Sequence, residues 1–246
     1  MKDRKTKIGF CETGGIFVGK DIHSKFHKNY AVSVIIALDK PFVLTTGNNT
    51  GHYRVALIRK NIEFSIDTGK NNYVAFVHIV PHSEAGMMLD YKDIPVKKPR
   101  DAMFKKIVEE INQWFLSDMN DRNAVENIIR DISLAAGDPG NRTETDNRIL
   151  YAIELITGHD EEKIYVEQIA SKVNLSVSHF NRLLKKETGL TFRRFVLYTR
   201  LIRSIQAISN NTNLTEATFI GGFADQPHLS RTFTENFGIK PSKSIK

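Results

Sequence analysis

FNRLLKKETG, residues 180–189, lies over LSRTFTENFG, residues 229–238, at an interval of 49 residues. Both read apolar, small polar, Arg, any residue, apolar, and both close on a glycine five positions later. A second occurrence of the same spacing, with Arg at the matching place, is more than the packing of a generic helical bundle demands. The chain is therefore read as two copies of one helical unit.

Each copy follows from its residues. Val166, Ile169, Ala170 and Val173 recur at helical spacing and give a first helix one buried face. Asn174 tolerates the left-handed backbone, and Ser176 is a good N-cap, so one helix stops and the next starts within a few residues. The second helix buries Val177, Phe180, Leu183 and Leu184 and leaves Ser178, His179, Asn181, Arg182, Lys185 and Lys186 outside. That face is short-chained first and cationic later, which suits base edges and then phosphates. The later copy repeats the pattern with Leu214, Ala217, Thr218 and Gly221, a Gly222-Phe223 turn, and Leu229, Thr232, Phe233 and Phe237 inward. Gln226, His228, Ser230 and Arg231 stay outside, and Pro227 sits near the helix start, where a missing N–H costs nothing.

Between the copies, Phe192, Phe195, Val196, Thr199, Ile202 and Ile205 predict one amphipathic helix over 191–209, roughly 28 Å long at about 1.5 Å per residue. Such a spacer suits two recognition helices about one turn of B-DNA apart, roughly 34 Å. Arg193, Arg194, Arg200 and Arg203 are expected on its open side. From Lys172 to Arg203 there are eight Lys and Arg side chains against the single acid Glu187. A duplex backbone would lie along this strip.

On these residues the chain resembles the AraC/XylS family of bacterial transcriptional regulators. LTEATFIGGFADQPHLSRTFTENFGIKPS carries the family's Gly-Phe turn, the Asp-Gln before the recognition helix, the Ser-Arg within it and the closing Gly-Ile-x-Pro. Three departures bear on packing: Thr218 for a usual Ala, Leu229 for a frequent Phe, and Asn174 for Gly. The resemblance implies base contacts from Ser178, Asn181 and Arg182 in one helix and Gln226, His228 and Arg231 in the other. Lys185, Lys186 and Ser230 complete the expected DNA-binding set. It also implies activation through contact with RNA polymerase.

Composition fits a two-domain regulator. At 246 residues the chain exceeds one core of ordinary size. The formal charge of +7 favours a polyanionic partner, although about three of those charges belong to residues 1–141. Cys11 is the single cysteine, so no intrachain disulfide forms and a reducing, cytoplasmic setting is expected. The basic start MKDRKTK precedes no long apolar run, and no stretch is expected to enter a membrane.

The first hundred residues are richer in β-branched and aromatic side chains and are broken by frequent turns. Strands are expected at 15–18, 30–38, 42–45, 53–58, 62–66 and 73–80, with turns at 39–41, 47–49, 59–61 and 69–71. Many short strands imply a small barrel or double sheet. Pro95 and Pro99 close this region. Helices are expected at 101–116 and 122–135, and GDPGNRTETD at 137–146 reads as a linker.

This part resembles the cupin-type sensor domains of the same family, best over HKNYAVSVIIALDKPF at 27–42. In such domains, metal sites use two or three histidines and an acid. Only His27 falls on a usual ligand position here, while Asn29 and Phe64 stand where others have histidine. No metal and no cofactor are therefore expected. His27, Asn29 and Phe64 are instead assigned to an effector pocket for a small organic molecule.

The expected fold class is α+β: a cupin-like β-barrel at 1–97, a helical connector and candidate dimerisation segment at 98–141, and an all-α DNA-binding domain with two helix-turn-helix units at 142–246. The expected function is sequence-specific DNA-binding transcriptional regulation of the AraC/XylS type, as an effector-responsive activator and not an enzyme. Two alternatives stay open: a cupin-type metalloenzyme fused to a DNA-binding region, and a ligand-independent regulator whose N-terminal domain only makes a homodimer.

Overall fold

A computed structural model describes residues 6–91, 94–117, 122–141, 145–158 and 163–241. The start of the expected DNA-binding domain at residue 142, part of the expected linker and most of the MKDRKTK segment lie outside the described residues. The chain divides into two compact units, one of Met1–Arg142 with Phe233–Lys246, the other of Thr143–Thr232.

In the first unit, β1 (Lys7–Phe10), β2 (Gly14–Gly19), β9 (Val74–Ile79), β4 (Val32–Ala37), β7 (Val55–Ile58) and β10 (Val96–Lys97) form, in that order, a six-stranded antiparallel sheet. A second sheet orders β3 (His27–Lys28), β8 (Glu63–Asp67), β5 (Phe42–Thr46) and β6 (Asn49–Tyr53). All of β4, VSVIIA, is buried, because both of its faces are covered. Ile35 and Ala37 join Phe42, Leu44, Phe64 and Ile66 in a core between the sheets. Val32, Val34 and Ile36 join a core on the other side with Ile107, Ile111 and Trp114 of α2 (Lys105–Leu116) and Val125, Ile129 and Ile132 of α3 (Arg122–Ala136). The expected connector helices thus share the core of the six-stranded sheet. Lys7 ties strand to helix: its Nζ donates to the carbonyl of Trp114 and, at 2.9 Å, to that of Ser117, where α2 ends.

The expected strands stand within a residue or two, with one instructive exception. The run expected as a single strand at 53–58 splits at Arg54, with Tyr53 closing β6 in one sheet and Val55 opening β7 in the other. β6, NTGHY, has no apolar alternation, and its first residue coincides with an expected turn. The short strands β1, β3 and β10 and the helix α1 (Glu84–Leu89) were likewise not expected. The helix expected from residue 101 opens with a 3-10 turn, Asp101–Phe104.

The second unit opens on α4 (Asn147–Thr157), a helix the sequence analysis did not single out. Its N-cap Asp146 accepts the Arg148 N–H, and the Arg148 guanidinium holds that carboxyl down to about 2. Next come α5 (Val166–Lys172), α6 (Val177–Thr188), α7 (Phe192–Ser209) and α8 (Leu214–Ile220), and then α9 (Gln226–Phe237), of which the residues up to Thr232 belong to this unit.

The helix-turn-helix joints match bond for bond. After α5, Asn174 at φ +55° donates to Ser171 O and Leu175 to Ala170 O; after α8, Gly222 at φ +73° donates to Phe219 O and Phe223 to Thr218 O. The Ser176 hydroxyl then accepts the His179 N–H at 3.3 Å, and the Asp225 carboxylate accepts the His228 N–H at 2.6 Å. The offset between copies is 48 residues before the joint and 49 after it, so the second copy holds one extra residue between turn and cap. Each second helix is followed by a left-handed glycine, Gly189 at φ +77° and Gly238 at φ +69°. A Cβ on Gly221 would stand 1.9 Å from Ser204 Oγ and 2.7 Å from the Arg200 carbonyl, so α8 meets α7 through a bare backbone.

Two substitutions test this packing. Ile111→Ala, at a fully buried site, should cost about 2–5 kcal/mol in urea unfolding. Gly221→Ala should cost about 1–3 kcal/mol, because the α7 backbone has to move away from the added methyl.

Candidate DNA interface and sensor interior

The first recognition helix, α6, rests on Phe180 and Leu184, both fully buried, with Ile169, Ala170 and Val173 beneath. Its capping at Ser176 and termination at Gly189 set the ends of the helix. Ser178, Arg182, Lys185 and Lys186 are exposed, and Asn181 is half-buried. These five residues therefore make one outward face, polar near the N-terminus and cationic toward the C-terminus.

The second recognition helix, α9, has Leu229 and Thr232 buried beneath it, and Arg231 is exposed. The remaining expected contacts are less open. Gln226 Nε2 donates to Thr215 Oγ1 at 2.7 Å, and the His228 ring packs edge-on against Phe223 at 5.1 Å. Ser230 is half-buried. At the positions of Lys185 and Lys186, the second copy has Thr234 and Glu235, so the two faces differ in charge.

Helix α7 departs from the simple amphipathic picture. Arg193 and Arg194 are exposed, but Arg200 and Arg203 are half-buried, and an Arg203 guanidinium N–H donates to Thr157 O at 2.7 Å at the end of α4. Leu201 and Ser204 are fully buried although the expected apolar spacing omits them. Helices α4, α6 and α8 all contact α7, and this widens its buried arc. Of the four arginines expected along the open strip, Arg200 and Arg203 are thus half-buried, and Arg203 ties α7 to the end of α4.

In the first unit, β3 pairs with β8 so that His27 faces Phe64, and their rings lie 4.4 Å apart. Desolvation lowers the His27 pKa, and its Nδ1 bonds the Lys25 carbonyl at 2.9 Å. Asn29 bonds its neighbours through both ends of its amide: its Oδ1 accepts the Ala31 N–H at 2.9 Å and its Nδ2 reaches His78 Nδ1 at 3.2 Å. Ser33 Oγ lies 3.0 Å from the same nitrogen. Burial, and then the nearby His27, push the His78 pKa down to about 3.

His27, Asn29 and Phe64 are thus close neighbours, and Ser33 and His78, not among the expected pocket residues, join them. A signal existed: Val74, Phe76 and His78 alternate along β9, so one face carries all three. Among the described residues no group of three or more His, Cys, Asp or Glu side chains stands close enough to hold a metal ion. No described helix is long and apolar enough to cross a membrane.

A family model described as a helix-turn-helix domain matches residues 169–246. The chain is 33% identical over 114 residues to the HTH-type transcriptional activator RhaS of Escherichia fergusonii, covering 46% of this chain and 40% of that protein. It is 29% identical over 96 residues to the lactose operon transcription activator of Staphylococcus xylosus, covering 39% and 34%. The chain therefore spans two fifths or less of the length of these curated relatives. Over its whole course it resembles the crystal structure of unsaturated fatty acid-bound ToxT from Vibrio cholerae, with a TM-score of 0.61 at 13% identity, covering 100% of this chain and 97% of that one. A second ToxT structure gives a TM-score of 0.63 at 12% identity over 98% and 96%. At such identity the common property is the mixed α+β fold. The paired helix-turn-helix units, bond-matched at both joints, agree with the family match, and residues 169–246 of this chain form a helix-turn-helix domain.

Proposed function

We propose that this chain is a sequence-specific DNA-binding transcriptional regulator, an activator whose N-terminal domain responds to a small organic effector. The observation that carries this reading is the repeated joint that presents Arg182 and Arg231 at equivalent exposed positions of two capped helices. Arg is the side chain best suited to bidentate contact with guanine in the major groove. The exposed Lys185 and Lys186, with Arg193 and Arg194, supply cations for the phosphates. Activation, contact with RNA polymerase and a cytoplasmic setting accord with relatives named as transcriptional activators. Effector binding accords with a structural neighbour crystallised with a fatty acid. The N-terminal unit would also be the place for a homodimer contact.

The full chain should bind its operator with an affinity that falls about a thousandfold between roughly 50 and 200 mM salt, if about six phosphates are neutralised. Genomic fragments recovered with the protein supply the operator, and fluorescence anisotropy measures the slope. Absence of DNA binding at low salt would refute the regulator reading.

Arg182→Ala and Arg231→Ala should each weaken operator binding by about 1–3 kcal/mol while leaving random duplex nearly unaffected. Lys185→Ala should weaken both alike and reduce the salt slope by about one. Equal losses on operator and random DNA for both kinds of variant would show that these arginines do not read bases.

Purified without an affinity tag, the protein should carry transition metal far below one atom per chain, since Asn29 and Phe64 replace imidazoles beside His27. Elemental analysis finding about one zinc, iron or nickel, lost with His27→Ala, would instead favour the metalloenzyme alternative.

A further inference from the structure

The hydrogen bonds around the two interior histidines assign their protons. Asn29 Oδ1 must be the oxygen, because it accepts a backbone N–H from Ala31, so the Asn29 amide donates to His78 Nδ1. The Ser33 hydroxyl is within hydrogen-bond distance of the same nitrogen. A neutral His78 therefore carries its proton on Nε2, which makes it a donor. His27 has the opposite tautomer: its Nδ1–H donates to the Lys25 carbonyl, so its Nε2 is an acceptor. Both pKa values are lowered, so both rings are neutral near pH 7. Neither Nε2 has a hydrogen-bond partner among the described residues, and the two rings do not bond each other although they are close enough to interact electrostatically.

The surroundings are apolar. Strand pairing sets Phe10 beside Gly15, Gly15 beside His78 and Phe17 beside Phe76, which places these side chains on the same face of the six-stranded sheet as His78. Phe10, Phe17 and Phe76 are each only half-buried, unlike the fully buried side chains of the core between the sheets. The Phe17 and Phe76 rings stand 5.7 Å apart. Asn29 orients His78 and acts through it, so it is a positioning residue here.

From the opposed tautomers and this aromatic face we infer that the first unit binds an apolar molecule through an uncharged polar head that both donates and accepts, a hydroxyl or primary carboxamide, set between His78 Nε2–H and His27 Nε2. The inference rests on the effector-responsive reading and specifies the chemistry of that site. A carboxylate has no proton to offer, so its oxygen lone pairs would meet the lone pair of His27 Nε2 in a desolvated setting. A hydroxyl or carboxamide satisfies both imidazoles at once.

The test uses the full chain at about pH 8 and isothermal titration calorimetry with octan-1-ol, octanamide and octanoate. The alcohol and the amide should bind at least about tenfold more tightly than the carboxylate. His78→Phe should abolish that preference, and Asn29→Ala should reduce it, with circular dichroism and DNA binding of each variant confirming that it is folded. Octanoate binding as tightly as the other two would leave a small-molecule site standing and overturn the head-group assignment. An unchanged preference in His78→Phe would also overturn it. If none of the probes binds while the same preparation binds DNA, the inference falls and the regulator reading stands.

Discussion

What the second helix of each helix-turn-helix unit presents depends on two backbone joints. At Asn174 and Gly222 a single residue with positive φ stops one helix and lets a second start at a new angle. Asn serves at the first joint because its short polar side chain tolerates the left-handed region; glycine serves at the second without steric cost. The caps that follow, Ser176 and Asp225, hold the first turn of each recognition helix and so set which side chains face outward. Had either joint continued as helix, Arg182 or Arg231 would point elsewhere.

The two joints are alike, but the faces they display are unequal. The first helix carries Arg182, Lys185 and Lys186 outward, while the second offers Arg231 with Thr234 and Glu235 behind it. Electrostatic attraction to a phosphate backbone would fall mainly to the first copy and to the start of α7. In the second copy, Gln226 and His228 are already held by Thr215 and Phe223. Base contact by either would exchange an existing interaction for a new one, and the net gain per contact would be correspondingly smaller.

In the first unit, the organising constraint is the double coverage of β4. A strand buried on both faces needs a sheet on one side and helices on the other, and the two hydrophobic cores supply them. The polar cluster of Asn29, Ser33 and His78 is tolerated beside this core because its internal hydrogen bonds satisfy the buried atoms. The same bonds fix the orientation of the His78 imidazole.

The sequence by itself determined the helix-turn-helix half. Its helices, caps and turns are local, so periodicity and cap residues within a few positions were enough to find α5 to α9 and the outward Arg182 and Arg231. It also located most strands, since alternation survives wherever one face is buried, but not β6, an edge strand without an apolar pattern. Only the tertiary structure decided the rest. Arg203 turned from an expected phosphate contact into a tie to Thr157, because α4 packs on the same helix. Asn29, expected at an effector pocket, also supports His78, a residue 49 positions away. Pairings across such distances depend on strand register and on which faces are covered. No local spacing in the chain encodes them, and they exist only once the sheets have closed over their core.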